Sequence, residues 1–537
     1  MKFKHLTLRA ILLSAFGSLL ISASSMYVAL RMSALPWPTI FVSVLSLALI
    51  KLFKNGNLHE VNVAQTGMSS GAMVAGGVAF TIPGLWISGV FESFDKTTMT
   101  WQSWALPKFF PILFATIAGT LAGTAICYIS RKKFIEKDAL PFPIGTAATE
   151  TLKAGDEGGK KSFLLFGTMG ITTIFTLLRD SLKIIPQSFS TKIKGFPLEL
   201  ASSPMAIGIG YIIGFMPCLW WLLGGITAHF LFGHWGLSTG TFASAEAVAA
   251  FNLSVAVGLM VGSGIGILVN FIMPLIKKYK HSQNTDEKKV NKKSETYFLL
   301  ISACLAFIFT LLARIPVLPS LFLIIGVVFA CYMSANITGL TGINPMEIFA
   351  ILVLLAIRIF VPFDNQTAFF IACITAVACG FAGDMLNDYK TGYDLETDAP
   401  SQTISQIIGA LVGCLVSTVA ILAIIAKYGG VGAESGLSAV QAHTVTSMIG
   451  GIGDPVIFTS ATFIGMVLYL SGIPAMIFGI GMLLPFGLST AIFIGGLTSL
   501  IVKKLKKDDV SGQIIGAGLL GGEGITSTLI AIVQMFL

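Results

Sequence analysis

The sequence predicts an all-α polytopic membrane protein of about 14 to 16 transmembrane segments, some broken or re-entrant, arranged as two homologous halves. Three observations predict it. Charge is scarce, with Asp, Glu, Lys and Arg making up only 11% of 537 residues, where soluble domains carry about 25%. Apolar residues gather in long runs such as LLISACLAFIFTLLA (299–313) and TISQIIGALVGCLVSTVAILAIIA (403–426). Such runs approach or exceed the roughly 20 residues a helix needs to cross the hydrocarbon core. The one long polar stretch, KKYKHSQNTDEKKVNKKSE (277–295), falls near the midpoint of the chain.

The N-terminus, MKFKHLTLRAILLSAFGSLLISASS, has the basic start and apolar run of a secretory signal. A second span follows at once, so it is read as the first transmembrane helix, 8–31. Further spans fall near 36–53, 60–89, 106–130, 161–178 and 203–232, the last long enough for a hairpin, and 244–276 completes an N-terminal half (1–276). Residues 277–295, rich in lysine and poor in apolar side chains, read as a solvated linker. The C-terminal half (296–537) has spans near 296–314, 319–336, 344–361, 366–383, 403–426, 456–471, 473–503 and 512–536, with 473–503 again read as a hairpin. Basic clusters orient the spans. KFKH, KLFKNG (51–56), RKKFIEK (131–137), the linker and KKLKK (503–507) are therefore placed in the cytoplasm, and the N-terminus with them.

The net charge of +8 lies in these loops and does not signal nucleic acid. The seven cysteines stand singly along apolar spans without zinc spacing. His229 and His234, five apart, do not share a helix face, so no metal site and no cofactor are expected. The sequence has no GxxxxGK[ST] loop, HExxH helix or nucleophile elbow. That excludes ATP drive from this chain and leaves no catalytic residues to name.

A duplication supports the two halves. GIGYIIGFMPCLWWLLGGIT (208–227) matches GIGMLLPFGLSTAIFIGGLT (479–498), with Gly208, Gly210, Gly224, Gly225 and Thr227 recurring 271 residues on. Two shorter echoes pair Thr66-Gly67 with Thr341-Gly342, and Lys153-Ala-Gly155 with Lys390-Thr-Gly392.

Polar, broken segments interrupt the apolar sequence. In hydrocarbon, non-helical backbone is tolerated only inside protein or beside a water-filled cavity, and ionisable residues there are functional candidates. ALPFPIGTAATETLKAG (139–155) holds two prolines, three threonines, Glu150 and Lys153. It reads as a short re-entrant or broken helix facing a transport path, with a cytoplasmic loop helix as the plainer alternative. GDMLNDYKTGYDLETDAP (383–400) crowds Asp384, Asn387, Asp388, Tyr389 and Lys390 at the end of a span. HEVNVAQTGMSSGAMVAGGVAFTIPG (59–84) brings Glu60 and Gln65, and NITGLTGINPMEIF (336–349) brings Asn336, Asn344 and Glu347. Glu246, Asn252, Asp454 and Glu523 are weaker candidates.

Together these segments resemble the oligopeptide transporter family, whose members include the yellow stripe-like metal-chelate carriers. The matching stretches are HEVNVAQTG (59–67), FPIGTAATETLKAG (142–155), SPMAIGIGYIIG (203–214), GDMLNDYKTGY (383–393) and LPFGLSTAIFIGG (484–496). They span about residues 55 to 505. Ile144 departs from the resemblance, standing where that family often has an acid. The resemblance implies a proton-driven importer in the cytoplasmic membrane, of about 16 segments, for short peptides or peptide-like metal chelates. The function expected is proton-coupled import of short oligopeptides. Import of iron or other metal–chelate complexes is the alternative, and an ion channel a distant one. Partners are then the substrate, protons and the lipid bilayer, and a homo-oligomer is compatible with the sequence. Glu60, Glu150 and Asp384 are the candidates for proton coupling. Gln65, Lys153, Asn344, Asn387 and Lys390 are the candidates for substrate contact, the lysines suiting a peptide carboxyl terminus.

Overall fold

The structure, a computed structural model, describes the chain apart from residues 1–2, 33–37, 52–55, 96, 158, 194–195, 280–291, 343, 432–436, 438, 451–453, 506–508 and 537. The first half opens with α1 (Leu8–Met32), α2 (Pro38–Lys51), α3 (Leu58–Ala79) and the short α4 (Gly84–Ile87). It continues with α5 (Trp101–Arg131), α6 (Pro143–Glu157), α7 (Gly159–Thr176), α8 (Pro204–Ile213), α9 (Phe215–Ile226), the one-turn α10 (Gly236–Ser238) and α11 (Ala245–Tyr279). The second half begins with α12 (Lys292–Leu312), α13 (Val317–Thr341), α14 (Met346–Phe360), α15 (Asn365–Asp394) and α16 (Ala399–Tyr428). It ends with α17 (Val440–Gly450), α18 (Pro455–Leu470), α19 (Ala475–Leu483), α20 (Phe486–Lys504) and α21 (Asp509–Phe536).

Among the described residues, ten helices are long and apolar enough to cross a membrane, and four shorter apolar helices accompany them. The all-α polytopic reading holds. The span read at 203–232 is broken at Gly214, whose φ of +91° favours a residue without Cβ, so α8 and α9 form a hairpin. The one at 473–503 breaks at Leu484-Pro485 into α19 and α20. The linker read at 277–295 is trimmed at both ends, since α11 runs to Tyr279 and α12 starts at Lys292, and residues 280–291 lie outside the described residues. Besides the one-turn α10, two elements are additions. One is α17. The other is an antiparallel hairpin of β1 (Ser188–Ile193) and β2 (Phe196–Ala201), with Ser188 opposite Ala201. Six-residue strands are too short to register in a window sized for membrane spans.

The helices form two bundles. The first is built around α3 and α15. The apolar window of α15 is wholly buried and that of the span Leu58–Ile87 is 94% buried, so neither helix has a lipid-facing side. Small residues allow this. Gly409 of α16 sits against the Gly67 carbonyl of α3, and a Cβ on Gly413 would lie 2.7 Å from Gly71 Cα. Lipid supplies no hydrophobic drive between helices, so close packing and hydroxyl contacts hold them. Ser14 and Ser405 hydroxyls meet at 2.6 Å, and Ser18 Oγ donates to the Gly409 carbonyl at 2.6 Å.

The second bundle packs the hairpin α8–α9 against α19–α20, with α21 and α11 outside them and α7 and α18 outside those. Its glycine contacts are reciprocal. Gly210 abuts the carbonyl of Ile492, and Gly481 abuts that of Trp221. Gly224 faces Phe478 and Met482, and Gly495 faces Ile207 and Tyr211. Each pair maps onto the other by the same shift of 271, which is how a two-fold relation between repeats appears in contacts. The long echo therefore marks structural equivalents. The two short ones do not: Gly67 lies inside α3, whereas Gly342 is the left-handed cap ending α13 (φ +75°). Lys153 lies on the 15-residue α6, and Lys390 near the end of the 30-residue α15. Thr-Gly and Lys-x-Gly recur too easily to carry homology alone.

Candidate functional site

Three of the broken segments converge on one place. The entry to α6 turns on Ala139 and Phe142, both at positive φ (+46° and +39°). The turn is held from α13: Phe142 N donates to the Gly339 carbonyl at 2.9 Å, and the fully buried Phe142 ring fills the space a Cβ on Gly339 would need. Pro143 lies against Gly342. Prolines cannot donate, so the first turn of α6 borrows partners from α15 instead. Gly145 N donates to Asn387 Oδ1 at 3.2 Å, and Thr391 Oγ1 donates to the Gly145 carbonyl at 3.0 Å. The segment at 139–155 is thus a short helix wedged against α2, α7, α15 and α21.

Beside it runs a polar seam between α3, α15 and α16. Gln65 Nε2 donates to Asp388 Oδ1 at 2.8 Å. Gln402 Nε2 bridges Thr66 Oγ1 (3.1 Å) and the Asp388 carbonyl (2.8 Å). The Tyr389 hydroxyl reaches Gln406 Oε1 at 3.0 Å. All of these side chains are buried. The hydroxyls of Ser69 and Thr39 lie beside Asp388, yet its Oδ2 makes no hydrogen bond among the described residues. The same holds for Asn62 Oδ1, Ser69 Oγ, Asn387 Nδ2 and Gln406 Nε2. A buried polar atom left unpaired costs about 1–3 kcal/mol, and a cluster of them marks a place for water or a ligand.

One helical turn before Asp388, Asp384 Oδ2 accepts from Asn344 Nδ2 at 2.8 Å. Asn344 is itself fixed by Ser334 Oγ (2.6 Å) and by donating to the Cys379 carbonyl (3.0 Å). Glu347 is the like-charged neighbour of Asp384. It borders a cavity of about 30 Å³ shared with Met260, Gln441, Thr444 and Leu483, where the two bundles meet. Asp388, Asp384 and Glu347 thus form a file of carboxylates from the interior of the first bundle to its boundary with the second.

The buried carboxylates fall into two kinds. Glu60 is held by Arg9, with Nε at 2.7 Å and a second contact through Nη2, and by Thr7. Glu523 is held by Arg179 Nη1 at 2.9 Å, Ser203 Oγ at 3.1 Å and Met205 N at 2.7 Å. Arg179 also binds Asp180 through two parallel contacts of 2.8 and 2.9 Å. This second polar centre borders a cavity of about 120 Å³ with Tyr27, Gln187 and Ser527. Asp384 and Asp388 have no cationic partner among the described residues. Isolated buried charge is expensive, and these two carboxylates are held by the amides of Gln65 and Asn344 in place of a cation.

Of the residues singled out from the sequence, Gln65, Asn344, Asp384 and Asn387 are brought together here. Glu60 lies about one and a half turns before Gln65 on α3 but is tied to α1. Lys390 is bound to Asp394, 2.7 Å away. Glu150 and Lys153 are half-buried on α6 and make no hydrogen bond or ion pair among the described residues. Asp388, Gln402 and Gln406 complete the seam. The spacing of Gln402, Ser405, Gln406 and Gly409 on one face of an apolar helix was a readable signal for the last two. No group of three or more His, Cys, Asp or Glu side chains converges as a metal site among the described residues.

The Arg9–Glu60 pair yields a prediction. Glu60 is buried while Arg9 is partly exposed, and removing the carboxylate takes away the acceptor that Arg9 and Thr7 share. Glu60→Gln is therefore expected to lower the melting temperature of the purified protein clearly, and Arg9→Met in the same chain to recover part of the loss. A Glu60→Gln protein that melts like wild type would free Glu60 for a role in coupling.

Comparison with known proteins adds to this geometry. The family model described as "OPT oligopeptide transporter protein" matches residues 5–245 and 275–534. A protein of Haemophilus influenzae named "Putative oligopeptide transporter" is 26% identical, over 95% of this chain and 92% of its own length.

Proposed function

The chain belongs to the oligopeptide transporter family, and from that premise we propose that it is a secondary active importer carrying short oligopeptides across the cytoplasmic membrane on an inward proton gradient. The observation that carries the reading is the pair Asp388, buried, and Asp384, half-buried one turn before it on the central helix, both without a counter-ion among the described residues and surrounded by amides and hydroxyls. A carboxylate in that state can exchange a proton as its surroundings change, and amide side chains such as Gln65, Asn344 and Asn387 can hydrogen-bond a peptide backbone. In this reading Glu150, half-buried at the edge of the same assembly, is the entry group for the proton. Lys153 and Lys390 stand nearby as contacts for a substrate carboxylate, Lys390 after release from Asp394. Glu60 is a fixed charge that anchors α1.

Purified protein in proteoliposomes with an inward proton gradient is the test, supplied in parallel with labelled tetra- and pentapeptides and with a ferric chelate. One pH unit is worth about 1.4 kcal/mol, a tenfold accumulation for one proton per substrate. Peptide accumulation of that order, abolished by a protonophore, is the expected result. Accumulation of the chelate alone would replace the peptide by a metal complex at the same site. Uptake that only equilibrates would indicate a channel-like path and overturn active transport.

A narrower test concerns Glu150. Glu150→Gln is expected to flatten the pH dependence of uptake. Dependence retained in full removes Glu150 from the proton route.

A further inference from the structure

Between α8, α20 and α21 the second bundle leaves an apolar crevice of about 530 Å³, lined by Ile207, Tyr211, Thr498, Val502, Ile515 and Leu519. Ser511, Gly512 and Gly516 also line it, and the two glycines let α21 lie close against Tyr211 and Ile212 of α8. Two lining side chains, Thr498 and Ile515, are exposed, Ile515 at 37%, so on a protein read as membrane-spanning the crevice opens toward hydrocarbon. Apart from the hydroxyls of Tyr211, Thr498 and Ser511 its wall is apolar, which suits hydrocarbon better than water.

Acyl chains gain nothing by passing from bilayer to protein, because both are equally apolar. Any preference among lipids must therefore come from the head group. The crevice ends at a basic cluster of the protein. Val502 is followed by Lys503 and Lys504, both exposed, in the stretch KKLKKDD (503–509), which has four lysines against two aspartates. Basic side chains at a membrane surface attract anionic lipid.

We propose that this crevice binds one anionic phospholipid, with an acyl chain between α8, α20 and α21 and its head group against Lys503 and Lys504. The bound lipid is then part of the wall on which the α8–α9 hairpin rests, and the composition of the bilayer bears directly on that hairpin. The proposal concerns lipid binding and stands apart from the substrate and from coupling.

Native mass spectrometry of the full-length protein released from detergent tests it, with phosphatidylglycerol and phosphatidylcholine of identical chains titrated separately. At least tenfold tighter retention of one phosphatidylglycerol is expected. The double variant Lys503→Gln/Lys504→Gln should retain both lipids equally. Ile515→Trp, which fills the crevice from an exposed position and leaves the lysines in place, should lose the tightly held molecule. Equal retention of the two lipids by wild type overturns the proposal. So does a preference that survives the lysine variant, or one that survives Ile515→Trp.

Discussion

Asp388→Asn is expected to abolish proton-driven accumulation while leaving a folded protein that still exchanges substrate across the membrane. The amide is nearly isosteric. Its oxygen can keep the 2.8 Å contact from Gln65 Nε2, and its nitrogen can donate to the hydroxyls of Ser69 or Thr39. The fold therefore loses little, and the capacity to take up and release a proton goes. In proteoliposomes the accumulation ratio should fall from about tenfold per pH unit to one, while counterflow of labelled against unlabelled substrate persists. Asp384→Asn is expected to slow transport without abolishing coupling, because Asn344 already fixes one of its oxygens. If the Asp388 variant still concentrates substrate against its gradient, the coupling group lies elsewhere in the file.

Alanine at Gly224 or Gly495 should cost nearly the same stability, and in each case a large amount. A Cβ at Gly224 would lie 2.9 Å from Phe478 C and against its carbonyl oxygen, and one at Gly495 would lie 2.9 Å from Ile207 C in the related arrangement. Backbone cannot step aside as a flexible side chain can, and overpacking of this kind costs about 1–3 kcal/mol. Gly170 of α7 is the control. Nothing lies within 4 Å of the position its Cβ would take, so alanine there should be neutral or stabilise by up to about 1 kcal/mol. Thermal melts of the three purified variants decide the matter. Unequal losses at Gly224 and Gly495 would mean that the two-fold relation is only approximate in energy.

The fold was legible in the sequence because the rules for spanning hydrocarbon are severe. Run length located the long helices, and five matched positions at one offset located the equivalent hairpins. The turns with no length signature, such as β1–β2, were not visible. The site was legible in part. Polarity placed at span ends pointed to Gln65, Asn344, Asp384 and Asn387, which do meet. What separates Asp388 from Glu60 is a counter-ion, and the one that matters, Arg9, lies 51 residues before Glu60. No local pattern reports such a partner. Lys390 shows the reverse case: its neighbour Asp394 is one turn away on the same helix, and that spacing could have been read directly.

The reciprocal seating of the two hairpins limits how this protein can move. A glycine of each receives the carbonyl of the other, so neither hairpin can slide or rotate without lifting several backbone groups from their seats together. Packed interiors shift between discrete arrangements more readily than they deform. The hairpins are then expected to travel as one rigid block, like the paired leaves of a door hung on a single post. On the proposed function, the working stroke is then expected at the surface where that block faces the first bundle, beside Glu347 and the small cavity it borders.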